Sequence, residues 1–156
     1  MKKSRFLLLI MMIVPWFTLP LLGSRALKRF LPATIFISLC TELLHIVAKK
    51  LNWWKFNSSI HPKVRPSIPF TVGPEFFTAL WCLKVAYGRL PFFLLINTIA
   101  HIIFAYPIMH LLKTLGIVSL QRLSSLQFVV LLFFRGGLLY SFQFVKEKFF
   151  SKKALW

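Results

Sequence analysis

Five long stretches of this chain are almost free of charge, and short basic segments separate them. They cover residues 6–23, 31–48, 70–88, 91–112 and 126–145. Each is about 17 to 22 residues long, enough to cross a hydrocarbon layer of roughly 30 Å. The apolar positions are continuous, whereas a membrane β-barrel is built from short strands of alternating polarity. A backbone in lipid must also satisfy its own hydrogen bonds, which a helix does within one segment. The pattern therefore predicts an all-α membrane bundle of about five transmembrane or membrane-embedded helices in one domain, 1–156.

Proline and glycine punctuate these runs. Lys2, Lys3 and Arg5 before the first run resemble the start of a signal peptide, but no A-x-A site follows and the run outlasts an ordinary signal core. It reads as an uncleaved span, with a kinked or shallow segment as the alternative because of Pro15 and Pro20. Pro32 fits the first turn of the second helix. Gly73, Pro74 and Glu75 fit the start of the third, where a carboxylate would face the positive end of the helix dipole. Pro91 opens the fourth, Pro107 kinks it, and Lys113 and Gly116 mark its end. Residues 49–69 form an interfacial loop, and 146–156 a basic C-terminal tail. No internal repeat of the kind found in inverted-repeat transporters is visible.

Composition strengthens the membrane reading. Hydrophobic residues make up 58% of the chain and charged ones 15%, whereas soluble domains are about half apolar and about a quarter charged. The formal net charge is +17. The cations flank the apolar runs, which suits a bilayer with anionic headgroups better than nucleic acid. With five spans, ten Lys and Arg fall on one side and nine on the other, Arg135 excepted. If the first segment is re-entrant, the count becomes twelve against seven, and both termini are expected in the cytoplasm. Cys40 and Cys82 lie inside apolar runs and read as packing residues.

Headgroup contact is expected from the loop through Trp53, Trp54, Lys55, His61, Lys63 and Arg65, where rings suit the interface and cations suit phosphate. Asn57, Ser58 and Ser59 match a glycosylation triplet. Lys84 and Arg89 are expected to snorkel to the headgroups.

Polar residues inside the runs are the remaining candidates for chemistry, because a charge in mid-membrane costs roughly 2.5 to 3.5 kcal/mol on insertion scales. Thr34, Ser38, Thr41, Glu42 and His45 form one helical stripe expected to face protein. Asn97 and His101 share a face of the fourth run, and Arg135 precedes Gly136 and Gly137 in the fifth. Glu42, His101 and Arg135 are expected within roughly 4 Å of the midplane at 1.5 Å per residue. A shared depth suggests a polar cluster of Glu42, His45, Asn97, His101 and Arg135, with Glu42 paired to Arg135. Such a cluster can clamp helices together or handle protons or ions.

Other signatures are missing from the sequence. It has no Walker A, GxSxG, HExxH or dinucleotide fingerprint. Its four histidines lack metal-ligand spacing, and its three carboxylates supply acid chemistry poorly. No catalytic residue, metal or cofactor is expected.

Three stretches have a familiar look: HPKVRPSIPFTVGPEFF (61–77), LWCLKVAYG (80–88) and FAYPIMHLLKTLGIVSL (104–120). Through them the chain resembles small multi-pass membrane proteins of unknown function from Bacillus and related bacteria. The resemblance covers most of the chain and implies a bacterial cytoplasmic membrane without adding a catalytic residue. The sequence thus points to a non-enzymatic accessory or interaction protein, with a membrane-protein partner or self-association. The alternatives are a small oligomeric transporter or channel with an intramembrane Glu/His/Arg site, and a headgroup enzyme using His61, Lys63 and Arg65.

Overall fold

The computed structural model describes residues 2–150, and it is an all-α bundle. Helix α1 spans Lys2–Leu22 and α2 Ser24–Leu51; α3 covers 68–86, α4 spans Leu90–Thr114 and α5 Ser125–Phe150. Four of these, α1, α2, α4 and α5, are long and apolar enough to cross a membrane. Two short strands, β1 (Trp54–Phe56) and β2 (Val118–Leu120), pair antiparallel with Lys55 opposite Ser119.

Side-chain pairings fix the helix directions. α1 runs parallel to α3, because Met11 meets Gly73 and Thr18 meets Trp81. α2 runs antiparallel to both α3 and α5: Phe30 packs edge-on against Tyr87, Phe36 stacks on Phe142, and Thr41 meets Arg135. α4 is antiparallel to α5, with Phe93 on Tyr140 and Phe104 on Phe128. The five helices therefore alternate in direction. α2, α3, α4 and α5 form a closed four-helix ring, and α1 lies against the outside of α3.

Local chemistry explains the breaks. Pro15 sits in a tight 3-10 segment, Val14–Thr18, where the Thr18 hydroxyl donates to the Pro15 carbonyl at 2.6 Å. α1 passes to α2 through Gly23 alone, at φ +77°, a conformation that side chains resist. Asn52, left-handed at φ 53°, ends α2. A wide π turn, Thr71–Glu75, absorbs Pro74 in α3, and another, Phe104–Ile108, absorbs Pro107 in α4. Proline removes one helical donor, and a wide turn re-satisfies its neighbours.

Several boundaries differ from the sequence reading. α2 starts at Ser24, so Pro32 is interior rather than in the first turn. α3 starts at Ile68, so Gly73, Pro74 and Glu75 lie inside it. A proline-glycine pair marks a helix start or a tolerated kink equally well, and packing against α1 decides for the kink. The 49–69 segment is more than a connector, since it contributes β1 to a ribbon that covers one end of the ring. α5 continues to Phe150, so the expected basic tail is helical over 146–150, and the rest of it, 151–156, lies outside the described residues.

The core has two apolar parts. One lies under the ribbon and contains Trp54, Phe70, Met109, Val118, Phe128 and Leu132. The other lies towards the far end and contains Phe30, Ile37, Leu80, Leu83, Phe93 and Leu139. A polar layer separates them in every helix of the ring: Thr41 and Glu42 in α2, Thr71 and Glu75 in α3, Asn97 and His101 in α4, and Arg135 in α5. Large apolar side chains point outward, including Phe17 and Phe134, 76% and 72% exposed.

Candidate functional site: a buried ionic layer

The ionic layer is built by four helices, each giving one to three polar groups. Arg135 of α5 is its centre. Its Nε donates to Thr41 Oγ1 at 2.6 Å, and one terminal nitrogen lies 3.4 Å from Glu75 Oε2. Both side chains of this ion pair are close to nine-tenths buried. Low polarity around the pair strengthens the attraction but also makes each ion costly if its partner is lost.

The expected Glu42–Arg135 pair does not form. Adjacent residues on a helix point about 100° apart, so Thr41 faces α5 while Glu42 faces α3. Glu42 accepts instead from Thr71 Oγ1 at 2.6 Å and from Ser67 Oγ at 3.0 Å. Glu75 takes the arginine, because the early start of α3 carries it into the middle of the bundle.

His45 joins the layer from α2. Trp54 Nε1 donates to His45 Nδ1 at 3.3 Å, which leaves the proton of a neutral imidazole on Nε2. That nitrogen faces Glu75 Oε1 at 3.9 Å. A small cavity of about 20 Å³ lies beside this group, between Thr41, His45, Glu75 and the rings of Trp54 and Phe128.

Asn97 and His101 come from α4 and are 3% and 5% exposed. The Asn97 amide packs on Gly136, where any Cβ would overlap it. Gly137 has open space instead, so one glycine of the pair admits a neighbour, and that neighbour is a side chain. His101 lies with Glu75 and Arg135 along a cleft of about 290 Å³. Among the described residues, the buried His45 Nε2, Asn97 Nδ2 and His101 Nε2 of this layer have no hydrogen-bond partner, whereas the Arg135 terminal nitrogen and Glu75 Oε2 face each other as an ion pair.

The loop residues separate into two groups. Lys55, His61, Lys63 and Arg65 are exposed at the ribbon end, beside a half-buried Trp53. Trp54 is not at the headgroup surface: it is 6% exposed, packs edge-on against Phe128 and bonds His45. Alternation along β1 turns neighbouring side chains to opposite faces, and Trp54 takes the inward one. Lys84 reaches past the end of α1 to the Leu21 carbonyl at 2.5 Å, over the Trp81 ring. It thereby neutralises the carbonyl end of α1.

Two contributors escaped the sequence reading. Glu75 looked like a helix-start residue, and only its rarity, one of three carboxylates in the chain, signalled otherwise. Glu147 was hidden among tail lysines. It accepts two bonds from Arg29, at 2.5 and 2.9 Å, and one from Gln143 at 2.7 Å, joining α2 to α5.

Cys40 and Cys82 are free thiols, the latter buried in the far-end core. Among the described residues, no group of three His, Cys, Asp or Glu is placed to hold a metal. No family model, curated protein or solved structure matches this chain.

Proposed function

We propose that this chain is a multi-pass integral protein of a bacterial cell membrane, acting without catalysis as an accessory or interaction subunit. The observation that carries this reading is the use made of the chain's three carboxylates. Glu42, Glu75 and Glu147 are each engaged by partners on another helix. The interior charge serves mainly to clamp α2, α3 and α5 together. The outer face offers apolar side chains such as Leu39, Leu43 and Phe134, 62%, 63% and 72% exposed. Lipid or the helix of a partner can cover them. The exposed Lys55, Lys63 and Arg65 suit anionic headgroups.

The test has two stages. Membranes are washed with alkaline carbonate, and the protein is expected to stay in the pellet; release would overturn the membrane assignment. The protein is then purified in a mild detergent. A second membrane chain or a second copy at a fixed ratio is expected, and a stable monomer free of any partner overturns the accessory role.

A second reading is a small oligomeric transporter using Glu42, His101 and Arg135. The cleft that reaches Glu75, His101 and Arg135 favours it. It requires ion flux in proteoliposomes that His101→Leu abolishes. Absence of flux for protons and common ions removes it.

A further inference from the structure

The two charge counts open to the sequence differ in whether α1 crosses the bundle or dips in and returns. Met11 lies on Gly73, the Thr18 hydroxyl accepts from Trp81, and the Leu21 carbonyl accepts from Lys84. α1 therefore tracks α3 at a nearly constant offset and stops at the far end, where α2 begins. It does not turn back. α3 makes the same journey: Phe70 belongs to the core under the ribbon, and Leu80, Leu83 and Ala86 belong to the far-end core. Five helices of alternating direction thus run between the two ends, and the count that applies is the one for five crossings.

That count is almost balanced. The ribbon end has ten Lys and Arg: three open α1, two close α2, three lie in the 52–67 loop, and Lys113 and Arg122 sit on either side of β2. The far end has nine: three at the start of α2, Lys84 and Arg89 around the end of α3, and four between Lys146 and Lys153. The last two of these follow the described residues, and 151–156 is too short a segment to cross back. Arg135 does not count, because it is buried in the ionic layer.

Orientation in a membrane follows the asymmetry of Lys and Arg in short connections, which are retained on the cytoplasmic side, while Asp and Glu contribute little. Every connection in this bundle is short, the longest being 52–67. All the flanking cations therefore bear on orientation, and they hold neither end inside in preference to the other. We propose that this chain is inserted in both orientations in comparable amounts, with the ribbon facing the cytoplasm in one population and the opposite side in the other. The apolar waist meets lipid equally well either way up. A second copy in the same membrane is then available inverted as well as parallel.

The test uses the full chain in the membrane of bacterial spheroplasts. Single cysteines are placed at exposed positions, Asn57→Cys at the ribbon end and Ser24→Cys at the far end. Cys40 and Cys82 lie inside the helices, and the unsubstituted chain gives their background. A membrane-impermeant maleimide is applied before or after permeabilisation, and labelling is read on carbonate-resistant protein. Each reporter is expected to react from outside in about half of the molecules and in the rest only after permeabilisation. Lys63→Gln with Arg65→Gln lightens the ribbon end, and is expected to move the ratio of orientations roughly threefold or more towards ribbon-outside. Arg25→Gln with Lys28→Gln is expected to move it the other way. The proposal is overturned if only one end reacts from outside, or if neither charge variant changes the ratio. It rests on the membrane assignment, and the two fail differently. Release by carbonate removes that assignment, whereas a retained chain with one end fully protected removes dual insertion alone.

Discussion

Arg135 and Glu75 hold each other in a place where neither could remain charged alone. Removing one partner of a buried ion pair typically costs about 3–5 kcal/mol, while removing both can be nearly neutral. Arg135→Gln or Glu75→Gln alone should therefore sharply lower the amount of folded protein on fluorescence-detected size exclusion. The double variant should recover most of it. Glu42→Gln should cost less than either, since its partners are the hydroxyls of Ser67 and Thr71. A Glu42→Arg, Arg135→Glu exchange should not recover folding. A larger loss in Glu42→Gln than in Glu75→Gln would contradict this assignment of the pair. Gly136 and Gly137 make a second comparison at the same scale. Gly136→Ala crowds the Asn97 amide and should cost about 1–3 kcal/mol in thermal stability, the usual range for overpacking, and Asn97→Ala should relieve it. Gly137→Ala, with open space around it, should be neutral or stabilising by up to about 1 kcal/mol. Sequence alone could read that Glu42, His45, Asn97, His101 and Arg135 needed company inside the membrane. It could not assign partners, because pairing depends on helix rotation, and Thr41 and Glu42 differ by one residue but face different neighbours.

The helices themselves were legible because their apolar runs are long and unbroken. Their ends were not, since cation-flanked helices extend past the hydrocarbon and lose the contrast that marks a boundary. α3 illustrates the limit. Its Gly-Pro-Glu sequence has the form of a helix start, yet it is an interior kink with Gly73 at φ −91° and ψ −105°. The kink lets α1 approach: a Cβ on Gly73 would lie 2.7 Å from the Met11 carbonyl oxygen and 2.9 Å from Met12 Cα. Both are backbone atoms and cannot step aside. Gly73→Ala should therefore push α1 off α3. A short bismaleimide bridging Thr18→Cys and Trp81→Cys, in a background lacking Cys40 and Cys82, would report this as slower crosslinking when Gly73→Ala is added, and unchanged crosslinking would argue against the close approach. β1 was invisible in the sequence, because three residues carry too little periodicity and their partner lies in another loop. Trp54 is its inward anchor. Trp54→Ala should cost about 3–5 kcal/mol, as for other large buried rings, whereas Trp53→Ala should cost clearly less in the same thermal assay.

At the scale of the whole molecule, basic residues lie at both ends and apolar side chains around the waist, as the composition implied. The far end is tied by Arg29 and Glu147, an exposed pair at the helix tips. Such pairs contribute about 1 kcal/mol or less and weaken with salt. Glu147→Gln should shift the melting temperature little and make it less salt-dependent, in contrast to Glu75→Gln. What composition could not reveal is the layering, with two apolar cores kept apart by one polar stratum. That arrangement requires the polar residues of four helices to meet, a coincidence of register that no single segment displays.

The single-glycine link between α1 and α2 has a consequence for biogenesis. The first two helices leave the ribosome together, but α1 finds its main seat, including the notch at Gly73, only on α3. During translocation the amino-terminal helix must wait beside the insertion machinery until roughly forty more residues, counted from Asn52 to Gly88, have been made. A chain interrupted before that point would carry a helix with nowhere to dock, and quality-control proteases that survey the bilayer for such orphans should clear it quickly.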